Sequence, residues 1–200
     1  MGGVLLDYDP VKALRRHGVS DDDVALIKRE FYDKRCIYAT DAGLKTHKQV
    51  ITETAPRLNE RCVKALSELY LDQVYGNVEM PEIPVMYDFI LRLKNKGYTT
   101  YLLSNAGYDF YEYSKHKKIC ALLDHTFISG DYHIVKPDAA IYLKFFEVFG
   151  LKPEECLFTD DMQANVDGSV ACGMDAVCFA AAREPIEKLE KEFAARGIEI

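Results

Sequence analysis

Apolar and polar positions change period along these 200 residues. After a short apolar opening, Val4-Leu5-Leu6, apolar residues recur at helical spacing: Val24, Ile27 and Phe31 in one segment, Val63, Leu66, Leu69 and Leu71 in another. Polar punctuation brackets these segments. Asp9 and Pro10 suit the N-cap and first position of a helix that Gly18 closes after Arg15-Arg16-His17. Ser20 opens a second helix, with Asp21, Asp22 and Asp23 at its positive end. Thr46-His47-Lys48-Gln49 reads as a capping box for a third, which Pro56 ends, and a fourth is predicted from about Asn59 to Tyr75. The first third of the chain is therefore expected to be helical after its opening segment.

The pattern then alternates. Pro84 starts a helix with Val85, Met86, Phe89, Ile90 and Leu93 on one side, stopped by Gly97. Strands are predicted at Tyr98–Leu103, Thr126–Ser129, Cys156–Thr159 and Ala176–Phe179. Between them lie a Tyr-rich helix, a helix capped by Asp138 and ended by Gly150, and a helix from about Gln163 to Cys172; Glu184-Pro185 begins the last. Strands alternating with helices predict an α/β fold with a parallel sheet covered on both faces. Ligands in such folds sit beyond the C-terminal strand ends.

Those ends are chemically specific. Ser104-Asn105 follows one strand, a loop to Lys136-Pro137 follows the next, and Asp160-Asp161 follows the third. A hydroxyl with an amide, an ammonium and two carboxylates on one rim would suit a phosphate and a Mg²⁺ ion, a hard cation that takes oxygen ligands. Singly, each has an ordinary reading: a turn, a solvated loop, an N-cap. The order of all three is what carries the functional reading.

Composition narrows the field. A net charge of −7 argues against a nucleic-acid binder, because a phosphate backbone needs a basic face. No apolar run reaches the ~18 residues of a membrane span, and the start lacks the regions of a signal peptide. Cys36, Cys62, Cys120, Cys156, Cys172 and Cys178 form no CxxC pair and read as reduced thiols. These features predict a cytoplasmic protein, monomeric or homodimeric, without membrane or nucleic-acid partners. The five histidines, His17, His47, His116, His125 and His133, do not cluster as a metal site.

The motifs "YLLSNAG", "GDYHIVKPDAAIY" and "CLFTDDMQANVDGSVACGM" resemble the second, third and fourth motifs of the haloacid dehalogenase (HAD) superfamily. The likeness is to the branch with an inserted helical cap similar to sugar-phosphate phosphatases of the alpha-D-glucose-1-phosphate phosphatase type. It implies a three-layer Rossmann-like HAD core formed by residues 1–7 and 81–200, with an all-helical cap at 8–80. It implies Mg²⁺-dependent hydrolysis of a small-molecule phosphomonoester. Asp160 and Asp161 would bind or orient the ion, with Asp161 the inner ligand. Ser104, Asn105 and Lys136 would hold the phosphoryl group, with Lys136 also orienting carboxylates.

In that family the nucleophile is the Asp before x-Gly-Gly-Val, and it forms an aspartyl-phosphate. Aligning Gly2-Gly3-Val4-Leu5 with the motif makes Met1 the x position, so the nucleophile falls one residue before Met1 and the first strand is cut short. This register implies a truncated start and a weak or inactive chain as written. The fallback register takes Asp7 as nucleophile and Asp9 as acid/base after a strand "GVLL". Pro10 and the capping duty of Asp9 oppose it. Where the family usually has a proton-donating Asp, this chain has Gly2, leaving the donor to water, the substrate or a cap residue. The loop Asp41-Ala42-Gly43 resembles the cap segment that faces the active site, or is a plain loop before Thr46. His133 near Lys136 reads as a plain loop residue in preference to a substrate contact, and Tyr108–Lys118 as a helix under the cap or at a dimer contact in preference to a nucleic-acid stacking surface. The rival readings are C–halogen hydrolysis without Mg²⁺, and a non-catalytic phospho-ligand binder.

Overall fold

The computed structural model describes residues 1–33, 36–71 and 80–200. Its first helices start where the polar punctuation requires. In α1 (Pro10–Arg16) the Asp9 carboxylate accepts from the backbone N–H groups of Val11 and Lys12 at 3.0 and 3.1 Å. The Ser20 hydroxyl caps α2 (Asp21–Ile27), which widens into a π-helical turn over Lys28–Tyr32. A short α3 (Tyr38–Asp41) precedes α4 (His47–Thr54), whose Thr46–Gln49 capping box is complete. Then comes α5 (Glu60–Leu71); the rest of the helix predicted to Tyr75 lies outside the described residues. Leu14, Ile27, Phe31, Val50, Leu66 and Leu69 meet in a core belonging to these helices. Each such side chain, fully buried, contributes about 1.5–3 kcal/mol.

The second part is built from α6 (Pro84–Asn95), β1 (Tyr101–Ser104), α7 (Phe110–Tyr113), α8 (Lys118–Leu122), β2 (His125–Ile128), α9 (Ser129–Tyr132), α10 (Ala139–Phe149), β3 (Leu157–Asp160), α11 (Gln163–Ala171), β4 (Asp175–Cys178) and α12 (Ile186–Ala195). Side chains alternate across the strands. Leu102 and Ile128 face a cluster with Phe89 and Ile90 of α6 and Leu189 and Phe193 of α12. Leu103 and Phe127 face the opposite cluster with Ile141, Tyr142, Phe145 and Phe146 of α10. Leu157 and Phe158 of β3 divide the same way. The result is a three-layer α/β arrangement with strands buried on both faces.

Several expectations are corrected. The strand at Tyr98–Leu103 starts only at Tyr101, because Thr100 gives its N–H to the Asp124 carboxylate at 2.8 Å instead of to a ladder. The Tyr-rich helix breaks into α7, a 3-10 turn and α8, where Lys117 becomes extended and its buried ammonium donates to the Met80 carbonyl. Asp138 precedes α10 without a side-chain cap bond. The single sheet is two parallel pairs among the described residues, β1 with β2 and β3 with β4. Residues 3–5 form a turn, with isolated bridges from Leu6 to Gly2 and Glu82. Gly3 at φ +79 suits a turn and not a strand. No helix among the described residues is long and apolar enough to cross a membrane.

Candidate active site

Parallel pairing brings strand ends to a common rim, with Ser104 opposite Ile128 and Asp160 opposite Cys178. Lys136 joins the two strand pairs there. Its Nζ lies 2.6 Å from Asp160 Oδ2 and donates to the Leu103 carbonyl at 3.0 Å. The two side chains are 3% and 6% exposed, so the pair is nearly dry. Asn105 fixes the loop that carries the lysine: its Oδ1 accepts from Lys136 N at 2.8 Å and its Nδ2 donates to the Lys136 carbonyl at 3.0 Å. The Ser104 hydroxyl is buried, with a long local bond of 3.4 Å to the Asn105 carbonyl.

Asp160 is fully engaged. Its Oδ1 accepts from Met162 N at 3.0 Å and from Asn165 Nδ2 at 2.8 Å. Burial opposes its charge, but the Lys136 ammonium beside it, reinforced by the hydrogen bonds from Lys136 and Asn165, holds the carboxyl below its usual range. Asp161 goes the other way: burial, and then the Asp160 charge, push it up. Among the described residues no other side chain bonds to the Asp161 carboxylate. It lies against Gly3, where an added Cβ would overlap the carboxylate. The Met1 amino group is electrostatically coupled to Lys136, Asp160 and Asp161, and burial followed by the lysine charge lowers it to about 6.

Beside Asp161 a cavity of about 200 Å³ is lined by Asp7, Tyr8, Asp9, Lys12 and Arg183. The fallback carboxylates thus stand at this cavity and are not bonded to the Lys136–Asp160 cluster. Asp9 is occupied as the α1 cap, Asp7 lies 3.8 Å from Lys12 Nζ, and the residues ahead of them turn where that register needs a strand. Among the described residues no three His, Cys, Asp or Glu side chains gather as a metal cluster. Of the two adjacent carboxylates on this rim, Asp160 is held by Lys136, Met162 and Asn165, and Asp161 has no side-chain partner among the described residues.

The α3 turn of the helical part closes on the same rim. The Ser129 hydroxyl accepts from Ala106 N at 2.9 Å and donates to the Asp41 carbonyl at 2.6 Å. His133, at φ +58, places Nδ1 2.8 Å from the Ala42 carbonyl. An added Cβ on Gly43 would overlap the Gly130 carbonyl, and one on Gly107 would lie 2.6 Å from the Thr40 carbonyl. His47 lies 3.1 Å from Asp109 and stacks on Tyr70 at 3.9 Å. Sequence reasoning missed Ser129 and Gly130 as parts of this joint and left His133 as a loop residue; the glycines just after two strand ends, Gly107 and Gly130, were the available signal.

Comparison with known proteins sets this geometry in context. The chain is 34% identical over 83 residues to chloroplastic flavin mononucleotide hydrolase 1 of Arabidopsis thaliana, covering 42% of this chain and 32% of that protein. It is 29% identical over 117 residues to glyceraldehyde 3-phosphate phosphatase of Pyrococcus furiosus, covering 56% of this chain and 48% of that protein. The chain thus spans less than half the length of these relatives. Among solved structures, HAD-family enzyme BT-2542 of Bacteroides thetaiotaomicron, in complex with magnesium and inorganic phosphate, superposes with a TM-score of 0.71 at 20% identity, over 94% of this chain and 95% of that one. That likeness establishes the fold. Residues 1–173 match the description of the haloacid dehalogenase-like hydrolases, and the chain belongs to that family.

Proposed function

We propose that this protein is a Mg²⁺-dependent phosphatase acting on a small phosphomonoester, of which a sugar phosphate is one class. The observation that carries the reading is the dry Lys136–Asp160 pair with an uncommitted carboxylate, Asp161, next to it. An ammonium has three donors. Lys136 gives one to Leu103 and one to Asp160, leaving a third for a phosphoryl oxygen. Ser104 offers a hydroxyl with only a long local bond, and Asn105 holds the Lys136 loop in register with one N–H to spare. The domain reading that goes with it is a core of residues 1–7 and 81–200 under a helical cap at 8–80.

The donor set fits magnesium, which takes one or two carboxylates and fills its remaining positions with water and phosphate oxygens. Asp161 would be the inner ligand and Asp160 would orient it. Bound there, the ion would neutralise and polarise the phosphoryl group. The names of the two curated relatives, both acting on phosphate esters, support the phosphatase class, and the BT-2542 complex holds magnesium together with phosphate. In this reading the attacking carboxylate is the aspartate of the motif register in which Gly2-Gly3-Val4 follow it. A cytoplasmic location and a monomer or homodimer complete the proposal.

The test has two arms. Calorimetry with inorganic phosphate should detect binding that requires Mg²⁺ and is lost in Lys136→Ala. A chain preceded by an aspartate in the motif register should release phosphate from a panel of sugar phosphates faster than the chain alone. Failure to bind phosphate with Mg²⁺ overturns the reading. Metal-independent chloride release from 2-chloropropionate would replace it with C–halogen hydrolysis.

A further inference from the structure

Asp41 ends α3 at the joint between the helical part and the rim. Its backbone carbonyl is held by Ser129, whose hydroxyl also binds Ala106, the residue after Asn105. Its position is therefore fixed by the same loop that anchors Lys136. Its carboxyl has a different status from the other acids of the joint. Asp109 faces His47 and Asp131 accepts from Tyr111, but among the described residues nothing hydrogen-bonds to the Asp41 carboxyl. The side chain is half-buried, so it is enclosed without being sealed from a ligand.

Resting on the phosphatase reading, we propose that Asp41 is the general acid that protonates the leaving oxygen of the phosphomonoester. As a carboxylate oxygen bonds to phosphorus, the ester P–O bond breaks and its electron pair stays on the leaving oxygen. That oxygen takes the proton of the Asp41 carboxylic acid, and the alcohol departs. When water then attacks the acyl phosphate, the Asp41 carboxylate takes a proton from it, so both the acid and the enzyme carboxylate are regenerated with free phosphate. The groups facing Asp41 suit this duty. Burial, assisted by Asp109, raises it to about 7, against the opposing charges of His47, Lys136 and the Met1 amino group. Tyr70 and Tyr113 also lie within its field, and their own phenols are pushed up chiefly by burial, so they do not compete as proton donors near neutrality. An acid that titrates near the working pH is the efficient proton donor.

Two measurements test it. In the first, carboxyl ¹³C NMR of the chain, with Asp41→Asn to assign the signal, should show Asp41 titrating near neutrality and moving when inorganic phosphate and Mg²⁺ are added. A signal that titrates in the ordinary carboxylate range and ignores phosphate overturns the proposal. In the second, the preparation with the added aspartate is assayed on an alkyl phosphate and on p-nitrophenyl phosphate, whose leaving group departs without a proton. Asp41→Asn should lower alkyl turnover by about 10²-fold more than aryl turnover. Equal losses on both substrates assign Asp41 a merely structural part and overturn the proposal. Absence of turnover on either substrate in the parent preparation sinks the phosphatase reading itself, and the proposal falls with it.

Discussion

Lys136 Nζ and Asp160 Oδ2 lie 2.6 Å apart where solvent scarcely reaches. A pair this dry is stable only as a pair, because either charge left alone would be buried without compensation. Lys136→Met should therefore destabilise the fold by about 3–5 kcal/mol. Adding Asp160→Asn to it should recover part of that loss, since the lone charge is gone. Urea melts of the two variants check this, and a double variant no more stable than Lys136→Met would show that packing, and not the charge, sets the cost.

Asp161 predicts the opposite behaviour. Burial and the neighbouring Asp160 raise its carboxyl, so ionising it opposes folding at neutral pH. Asp161→Asn should fold at least as stably as the parent at pH 7 while losing Mg²⁺-dependent phosphate binding. Parallel thermal melts and calorimetry separate the two effects.

The pH dependence at Asp41 has a definite sign. Its folded value of about 7 lies above the reference 3.8. Well below the reference 3.8 both states hold the proton and no difference arises. Between about 4 and 7 the unfolded chain releases it first, so stability is lost as pH rises, and above 7 the full cost is present. Three units correspond to about 4 kcal/mol as an upper bound, and partial solvent contact reduces this to about 1–3 kcal/mol. Asp41→Asn should thus be more stable than the parent at pH 8 and indistinguishable from it near pH 2.5 by denaturant melts.

The joint at Ser129 can be tested without touching the acid. Ser129→Ala removes a group that satisfies both Ala106 N–H and the Asp41 carbonyl, at a cost of about 1–3 kcal/mol. Gly43→Ala adds a methyl against the Gly130 carbonyl at φ +64 and should also loosen the contact. Both variants should be cut faster than the parent by a protease acting on residues 38–46, with cleavage sites read by mass spectrometry.

Much of this was legible in the chain because local chemistry wrote it. Asp9, Ser20 and Thr46 are capping residues whose oxygens reach backbone donors two or three residues on, and Pro10 and Pro84 mark helix starts. Ser104, Lys136, Asp160 and Asp161 could be singled out because each follows a predicted strand, and parallel pairing brings such ends together. What escaped was set at long range. The division of the strands into two pairs goes with the turn at Gly3 and the isolated bridge from Leu6 to Glu82. The early break at Lys117 depends on a carbonyl at Met80, far away in sequence. Asn105 was read for a substrate contact alone; that both ends of its amide also grip the Lys136 backbone is a pairing no residue pattern announces.

The seam where Gly43 meets Gly130 and Gly107 meets Thr40 is made largely of main-chain atoms. Beyond the His47–Asp109 contact, such a footing depends little on side-chain identity on the rest of the helical block, provided that nothing bulkier than hydrogen intrudes at its glycines. A foreign bundle ending in a comparable short turn that keeps an acid at the Asp41 position could be grafted onto the same platform, so this architecture lends itself to exchanging recognition modules while the proton donor is retained.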